Sequence, residues 1–425
     1  MEAIPGQEPW LQVAEVVRLI RQRVATTRPE LARVLRLGRN VISDRIQMAE
    51  QIGLVRPSSG ARSRTGRRAE VWEFCAEAGT VLVATVGAGS FSVALTRLDG
   101  VVLARTTQSW DLNQGPDASV ARIADVMREL LGEAGLERPW AIGIGLPVPI
   151  DAATGRNVDP VAPSAMSYRW PTGFDVRAWF VEQFRTPTWV DSVINFTTLG
   201  AVEAPGAPGD LVYVRIGTGL GAGLVSGGRV HRGATSVAGE LNHVTMSDDP
   251  DRVCLCGRIG CLETYAGGWA MLGDARRAAA RGDSPHLARI AGTRELTVAD
   301  LDEGVRLSDP ASVEIVVRAA TMLGRALATV VTLFNPARVV LGGSSIARNE
   351  LLLSVVERTV QTFTLPASFA AVELVPGEPD NQEALRGGAV LVAGRLLSAE
   401  NLPRWGALGS PLDAPVLLEG RALLD

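Results

Sequence analysis

The chain has 425 residues, of which 46% are hydrophobic and 21% charged, so it can bury two or three domain cores and global disorder is excluded. The net charge of −4 conceals an asymmetry, because residues 1–70 hold 13 arginines against 7 acidic residues, a net of +6, and the rest of the chain carries −10. Neither an apolar leader nor an uninterrupted run of about 18 apolar residues occurs, so we expect a cytoplasmic protein without a membrane span.

The basic N-terminal segment, residues 1–78, has the pattern of three short helices followed by a hairpin. Apolar residues recur at helical spacing in the first stretch, and Thr27 with Glu30 forms the capping-box pattern that starts the second helix. The predicted elements are helices over 10–24, 29–35 and 40–53, a strand that begins at Leu54 and a return strand over 71–74. This order is typical of a winged helix-turn-helix.

A winged helix-turn-helix with a surplus of arginine is expected to bind a double-stranded DNA operator and so to associate with the nucleoid. The exposed N-terminal part of the third helix would face base edges through Arg39, Asn40, Ser43, Asp44 and Gln47. The hairpin loop would reach phosphates or a narrow minor groove through Arg62, Arg64, Arg67 and Arg68. The alternatives are a solvated basic surface and a three-helix cap that binds protein.

Beyond residue 78 the pattern changes to strands with glycine turns. Residues 80–109 are predicted as three strands with turns at Gly87–Gly89 and Asp99–Gly100, followed by a helix and the buried strand 140–150. Residues 210–233 repeat the hairpin with a glycine-rich first turn. The repetition predicts two related lobes around a cleft, and glycine turns of this kind let backbone N–H groups approach an anion.

The order of motifs along residues 10–398 resembles the ROK family (repressors, open reading frames, kinases). The motifs are the winged helix, the "LDG" hairpin, "GIGLPVPID" (143–151), "IGTGLGAGLVSGG" (216–228), "GELNH" (239–243), "CLCGRIGCLE" (254–263), "RVVLGGS" (338–344) and "ALRGGAVLVAG" (384–394). The resemblance implies an α/β fold in which a winged helix-turn-helix precedes a two-lobed, actin-like ATPase body over residues 79–398. Residues 399–425 fall outside it and form a C-terminal tail to which we assign no role.

The cysteine motif predicts a metal centre. Cys254, Cys256 and Cys261 follow the C-x-C-x4-C spacing, and His243 lies eleven residues before the first of them. Four nitrogen and sulfur ligands make a closed tetrahedral shell, so we expect one structural zinc ion per chain. The alternative is three buried thiols without a metal.

The resemblance also implies an effector site. In the ROK family the residues at the positions of Glu240, His243 and Glu263 approach sugar hydroxyls, for which carboxylates are suitable acceptors. Asn242 stands where the family pattern has glycine. The alternative for both glutamates is a helix cap or a surface ion pair.

The kinase machinery is incomplete by the same comparison. The family kinases use an aspartate as general base in an Asn-Asp pair, and the matching stretch "WVDSVINFTTLGA" (189–201) places Ser192 and Val193 there. A shifted register would use Asp191 but loses the other matches. The phosphate hairpin has Thr85 in place of a metal-side aspartate, and Val148 replaces a glycine near the sugar. We therefore predict no catalytic residue.

The resulting prediction is a homodimeric or homotetrameric transcriptional repressor of carbohydrate-related genes with a degenerate kinase body that senses a sugar or sugar derivative. The stretch 311–334 would contribute either to a subunit interface or to the core. Two alternatives stay open. The protein is a sugar kinase with residual ATP-dependent activity, or it is a regulator whose effector is not a sugar or which has none.

Overall fold

The structure, a computed structural model, describes residues 8–58, 70–87, 89–151, 154–158, 174–204, 206–378 and 382–418. The four wing arginines predicted to contact DNA lie outside the described residues: Arg62, Arg64, Arg67 and Arg68.

The N-terminal unit contains three helices and a two-stranded antiparallel sheet: α1 (Glu8–Arg21), α2 (Arg28–Leu35), α3 (Arg39–Gln51), β1 (Val55–Pro57) and β2 (Trp72–Phe74). The capping box at the start of α2 is confirmed, because the Thr27 hydroxyl accepts from the Glu30 N–H and the Glu30 carboxylate accepts from the Thr27 N–H. A bridge between Thr27 and Val71 ties α2 to the hairpin. The arrangement is a winged helix-turn-helix.

The body has two five-stranded sheets with the same topology. In each, an antiparallel three-stranded meander is extended by two parallel strands, giving the orders β5-β4-β3-β6-β7 and β10-β9-β8-β11-β12. The N-lobe strands are β3 (Thr80–Val86), β4 (Ser90–Arg97), β5 (Val102–Ser109), β6 (Ala141–Leu146) and β7 (Thr188–Ser192). The C-lobe strands are β8 (Leu211–Ile216), β9 (Leu220–Ser226), β10 (Arg229–His231), β11 (Arg338–Gly343) and β12 (Glu373–Pro376). This duplication is the predicted pair of related lobes.

Helices cover both sheets and complete the α/β layers. Those associated with the N-lobe are α4 (Pro116–Glu133) and α5 (Val176–Phe184). Those of the C-lobe are α7 (Glu263–Ala266), α8 (Gly268–Arg281), α9 (Pro285–Ala291), α10 (Val298–Arg306), α11 (Pro310–Phe334), α12 (Glu350–Phe363) and α13 (Pro366–Ala371). Among the described residues only α11 is long and apolar enough to cross a membrane, and 56% of its most apolar window is buried inside the protein. Its buried face forms part of the C-lobe core, so this helix contributes to the core, one of the two roles expected for residues 311–334.

Two helices connect the lobes and pack directly against each other. They are α6 (Val193–Val202), which leads from β7 to β8, and α14 (Gln382–Leu396), which follows β12 and covers strands β3 and β6 of the other lobe. A side chain on Gly200 of α6 would collide with the carbonyl of Glu383, and one on Gly387 of α14 would collide with the carbonyl of Phe196. Backbone therefore meets backbone where these two connecting helices cross, and this crossing is referred to below as the hinge.

A continuous hydrophobic core joins the N-terminal unit to this hinge. It includes the inner faces of α1 and α3, the edge of the N-lobe sheet, α14 and the C-terminal segment that contains α15 (Leu402–Trp405). Trp405 is fully buried, donates its indole N–H to the carbonyl of Leu396 and packs edge-on against Trp140. The C-terminal segment therefore packs against the core of the protein through Leu402, Trp405, Ala414 and Leu417.

Candidate metal centre, effector cleft and DNA interface

The four predicted metal ligands converge between β10 and α7. Their ligand atoms lie within 4.8 Å of one another, with 3.6 Å between Cys254 Sγ and His243 Nδ1 and 3.7 Å between Cys256 Sγ and Cys261 Sγ. Tetrahedral zinc with Zn–S bonds of about 2.3 Å and a Zn–N bond of about 2.0 Å requires separations of about 3.6 Å for sulfur to nitrogen and about 3.8 Å for sulfur to sulfur. The donor set and these two distances fit the group.

A tight turn presents two of the sulfurs. The N–H of Gly257 bonds to the carbonyl of Cys254, and Gly257 has φ 82°, a left-handed conformation that favours glycine. A small hairpin then forms through bridges between Val253 and Ile259 and between Thr245 and Cys261. The glycines inside the cysteine motif, Gly257 and Gly260, therefore adopt the left-handed backbone conformations that this turn and hairpin require.

The protonation states of the ligand groups depend on a cation. Burial raises the pKa of Cys254 well above that of an ordinary thiol and also raises the pKa of Cys261. Burial and the nearby charge of Arg258 lower the pKa of His243, which keeps the imidazole neutral near pH 7 as a metal ligand requires. Without a bound cation the thiols of Cys254 and Cys261 hold their protons, so metal binding would release protons.

The two nitrogens of His243 face different groups. Nδ1 is directed at the cysteine sulfurs, whereas Nε2 lies 3.9 Å from Oε2 of Glu240. One histidine can thus hold a metal and still point a donor N–H towards the cleft. Glu240 is largely surrounded by protein, which together with the charge of Glu263 raises its pKa to about 7, yet 39% of its side chain remains accessible to solvent. Glu240 is therefore a partly accessible carboxylate beside His243 and near Glu263.

Glu263 is more enclosed than Glu240, and each of its carboxylate oxygens accepts a hydrogen bond from a protein side chain. Oε2 accepts from Nδ2 of Asn242 at 2.7 Å, and Oε1 accepts from Nε1 of Trp269 at 3.2 Å. Glu263 therefore contacts three segments: the "GELNH" turn through Asn242, the glycine hairpin through Gly219, and the start of α8 through Trp269. The structure brings Glu240, His243 and Glu263 together, as the resemblance implied.

The residue that the resemblance aligns with a kinase base, Val193, has an apolar side chain. Val193 is buried at the first turn of α6, and Asp191, the alternative candidate, has its carboxylate fully engaged. One Asp191 oxygen accepts from the Ser192 N–H and from Nδ2 of Asn195, and the other forms an ion pair of 2.6 Å with Arg232. Asp191 lies in β7 of the N-lobe, and Arg232 directly follows β10 of the C-lobe, so this ion pair links the two lobes.

The other departures from the kinase pattern lie in the N-lobe. Thr85 is buried at the end of β3, and the next turn includes Ala88, which lies outside the described residues. Val148 packs against the N-lobe core. The second glycine hairpin keeps a close-packed backbone, since a side chain on Gly268 would collide with the carbonyl of Gly217. A kinase of this pattern is expected to have two phosphate-binding hairpins. The second, around Gly217, keeps its glycines. The first has no acidic residue among Thr85–Gly87 and Gly89.

The recognition helix presents the predicted polar face. Arg39, Asn40, Asp44 and Gln47 are exposed and Ser43 is half-buried, whereas Ile42, Ile46 and Ala49 point into the core of the N-terminal unit. The period of buried positions thus leaves one face of α3 free for the major groove, which admits an α-helix.

Sequence reasoning missed several residues that organise these sites. Arg232 and Trp269 do not belong to the positions that the family motifs mark as ligands. Arg21, at the end of α1, contacts the body. Its guanidinium donates to the carbonyls of Leu98 and Val390 at 3.3 and 3.4 Å. Val390 lies on the hinge helix α14, 369 residues away along the chain. No pattern of neighbouring residues could have paired them.

Comparisons with known proteins agree with this architecture. The sequence profile of the ROK family matches residues 82–395. A xylose repressor of Caldicellulosiruptor bescii is 24% identical over 391 residues, which is 90% of this chain and 95% of that protein. A glucokinase of Halalkalibacterium halodurans is 26% identical over 312 residues, which is 72% of this chain and 93% of that protein. The match to the repressor therefore extends beyond the body.

Solved structures show the same fold. The crystal structure of a ROK family transcriptional regulator, a homolog of the E. coli MLC protein, has a TM-score of 0.78 at 23% identity and covers 97% of this chain and 100% of that one. A ROK family glucokinase from Streptomyces griseus has a TM-score of 0.64 at 22% identity and covers 74% of this chain and 99% of that one.

Proposed function

The chain belongs to the ROK family, and from that membership we propose that it is a DNA-binding transcriptional repressor of carbohydrate-related genes whose kinase-like body senses a sugar or sugar derivative. The observation that carries the proposal is the continuous core that seats the winged helix-turn-helix on the hinge helix α14. The repressor match over 90% of the chain supports it.

Regulation would follow from the hinge. A ligand in the cleft that favours one angle between the lobes shifts the population of that angle. Because α14 crosses α6 in backbone contact and also supports α1, a change of lobe angle would reorient the DNA-binding unit. Two such units on a homodimer or homotetramer would then gain or lose their match to half-sites about one helical turn, or a multiple of it, apart.

The metal has a structural task in this proposal. Zinc bound by His243, Cys254, Cys256 and Cys261 would fix the loop that holds His243 Nε2 beside Glu240. A closed shell of four protein ligands leaves no coordination position for water, so it supplies rigidity rather than Lewis-acid chemistry.

The wing should contribute phosphate contacts that depend on salt. We expect Arg67→Ala with Arg68→Ala to weaken operator binding and to reduce the slope of log K against log salt by about 0.9 for each lost phosphate contact. Fluorescence anisotropy titrations over a range of salt concentrations measure this slope. Arg281→Ala is the matched control, since Arg281 is an exposed C-lobe arginine paired with Asp283. A slope that both variants leave unchanged would rule out the wing as a DNA contact.

A second candidate function, a kinase with residual activity, is favoured by the retained glycine hairpin around Gly217 and by the glucokinase match. We expect no ATP-dependent phosphorylation of D-glucose, N-acetylglucosamine or D-xylose above a protein-free blank, because a general base contributes a factor of about 10²–10⁴ and Val193 cannot act as one. A coupled-enzyme assay of ADP release measures this turnover.

Restoring the carboxylate should not restore the reaction. Val193→Asp would place a charge at a buried position without an amide partner at Ser192 or a metal-side carboxylate at Thr85, so the variant should be less stable and still inactive. Val193→Asn is the uncharged control of similar size. Robust turnover by the wild-type chain would establish the kinase instead of the sensor.

A further inference from the structure

Asn242 occupies a position where the family pattern has glycine. It lies in the short turn Leu241–His243, between the effector candidates Glu240 and His243 along the chain. It is 8% exposed, and its Nδ2 donates to Oε2 of Glu263 at 2.7 Å. An ionised carboxylate only accepts hydrogen bonds, so the amide nitrogen must face it. The side chain thus covers one oxygen of Glu263 with a donor that belongs to the protein.

The other carboxylate oxygen of Glu263, Oε1, is also covered by protein groups. Trp269 donates to Oε1, and Gly219 packs so closely that a Cβ there would lie 2.6 Å from the same oxygen. A carboxylate has about four lone-pair sites. Asn242 therefore occupies, at Oε2, the direction that neither Trp269 nor the glycine hairpin approaches.

The arrangement is unfavourable for Asn242 itself. Its Oδ1 is buried and has no hydrogen-bond partner in the described part of the chain. A buried acceptor left unsatisfied costs about 1–3 kcal/mol, which a glycine would avoid. Stability alone therefore does not account for asparagine at this place, whereas a role in ligand discrimination does.

We infer that Asn242 is a specificity-determining residue: it withdraws Glu263 from ligand recognition, so the effector is recognised by Glu240 and His243 alone. The ligand class that suits such a site is a sugar or polyol that lacks a hydroxyl, or carries a substituent that cannot donate, on the side facing Glu263. This inference rests on the proposed sugar-sensing function and narrows its ligand class.

Removal of the amide should change the selectivity among ligands. In Asn242→Gly, Oε2 of Glu263 is free to accept a ligand hydroxyl, and a hydrogen bond to a charged group is worth about 1.5–3 kcal/mol, a factor of roughly 10–150 in affinity. Isothermal titration calorimetry with D-glucose and its monodeoxy derivatives gives, for each derivative, the ratio of its Kd to that of D-glucose. We expect one of these ratios to rise at least about tenfold in the variant relative to the wild type.

Two further variants separate recognition from folding. Asn242→Ala also frees Oε2 while keeping a Cβ, so it should show the same direction of change if the glycine variant is poorly folded. Adding Glu263→Gln to Asn242→Gly should abolish the new selectivity. If the ratios of Kd between each deoxy derivative and D-glucose are equal in the wild type and in both single variants, the proposed role of Asn242 is overturned, while the sugar-sensing function stands. No binding of any probe by any of these proteins would overturn the sugar-sensing function as well, and Glu240→Ala should weaken every probe in both backgrounds.

Discussion

Cys256→Ser should yield a protein without zinc and with a markedly lower free energy of unfolding, the largest effect we expect from a single substitution. Structural zinc in small sites contributes apparent binding energies of about 10–16 kcal/mol near pH 7, and that energy is also folding energy for the loop it closes. Serine offers no thiolate, so the shell of His243, Cys254 and Cys261 would be left with three ligands. Elemental analysis and thermal unfolding measure both losses.

The fourth cysteine of the chain is the matched control. Cys75 is also buried but lies at the junction of β2 and the N-lobe, away from the metal cluster. Cys75→Ser should therefore keep about one zinc per chain. Wild-type protein prepared without chelator that contains no zinc, or a Cys256→Ser protein with full zinc content, would show that the cluster is a group of buried thiols.

Arg21→Ala should loosen the DNA-binding unit from the body. The substitution removes the donor to the carbonyl of Leu98 and a second contact to the carbonyl of Val390, which still accepts within α14, and an unsatisfied buried group costs about 1–3 kcal/mol. Burial lowers the pKa of Arg21, a desolvation that the charges of Glu203 and Asp99 oppose. Since 1.4 kcal/mol corresponds to a factor of ten, hydrogen exchange in α1 should accelerate about tenfold or more while the C-lobe is unaffected.

Arg18→Ala, one turn earlier on the same helix, is the control for this experiment. Arg18 is exposed and pairs with Glu15 on the surface, an interaction worth about 0–1 kcal/mol. Equal exchange rates for α1 in the two variants would mean that Arg21 does not hold the unit in place. If the rates differ as expected, Arg21→Ala should also uncouple operator affinity from any ligand that wild-type protein responds to.

Local signals in the sequence were sufficient for the elements and for the metal centre. The recognition helix predicted over 40–53 extends over Arg39–Gln51, and the capping box at Thr27 is present. The start of α2 follows from the capping box, and the position of α3 follows from the glycine turn and the spacing of its buried residues; all these signals act within a few residues. The cluster of one histidine and three cysteines could be predicted for the same reason, because three of its four members lie within eight positions of one another.

The contacts that organise the cleft and the hinge could not be predicted in this way. Asp191 pairs with Arg232 across 41 residues, and Arg21 reaches α14 across 369. Trp405 is buried against Trp140 although the C-terminal segment has no recognisable motif. Such pairs depend on how the two lobes close on each other, and tertiary packing of this kind leaves no periodic pattern in the sequence.

The most direct measurement is selection of bound fragments from sheared genomic DNA of the source organism by the purified, zinc-loaded chain, followed by sequencing and footprinting. We expect enrichment of an inverted repeat whose half-sites lie about one helical turn or a multiple apart, with binding that weakens steeply as salt rises. We also expect D-xylose, D-glucose, N-acetylglucosamine or a deoxy derivative of these sugars to release the fragment. Recovered DNA that matches the input library in sequence would contradict the assignment as a DNA-binding repressor.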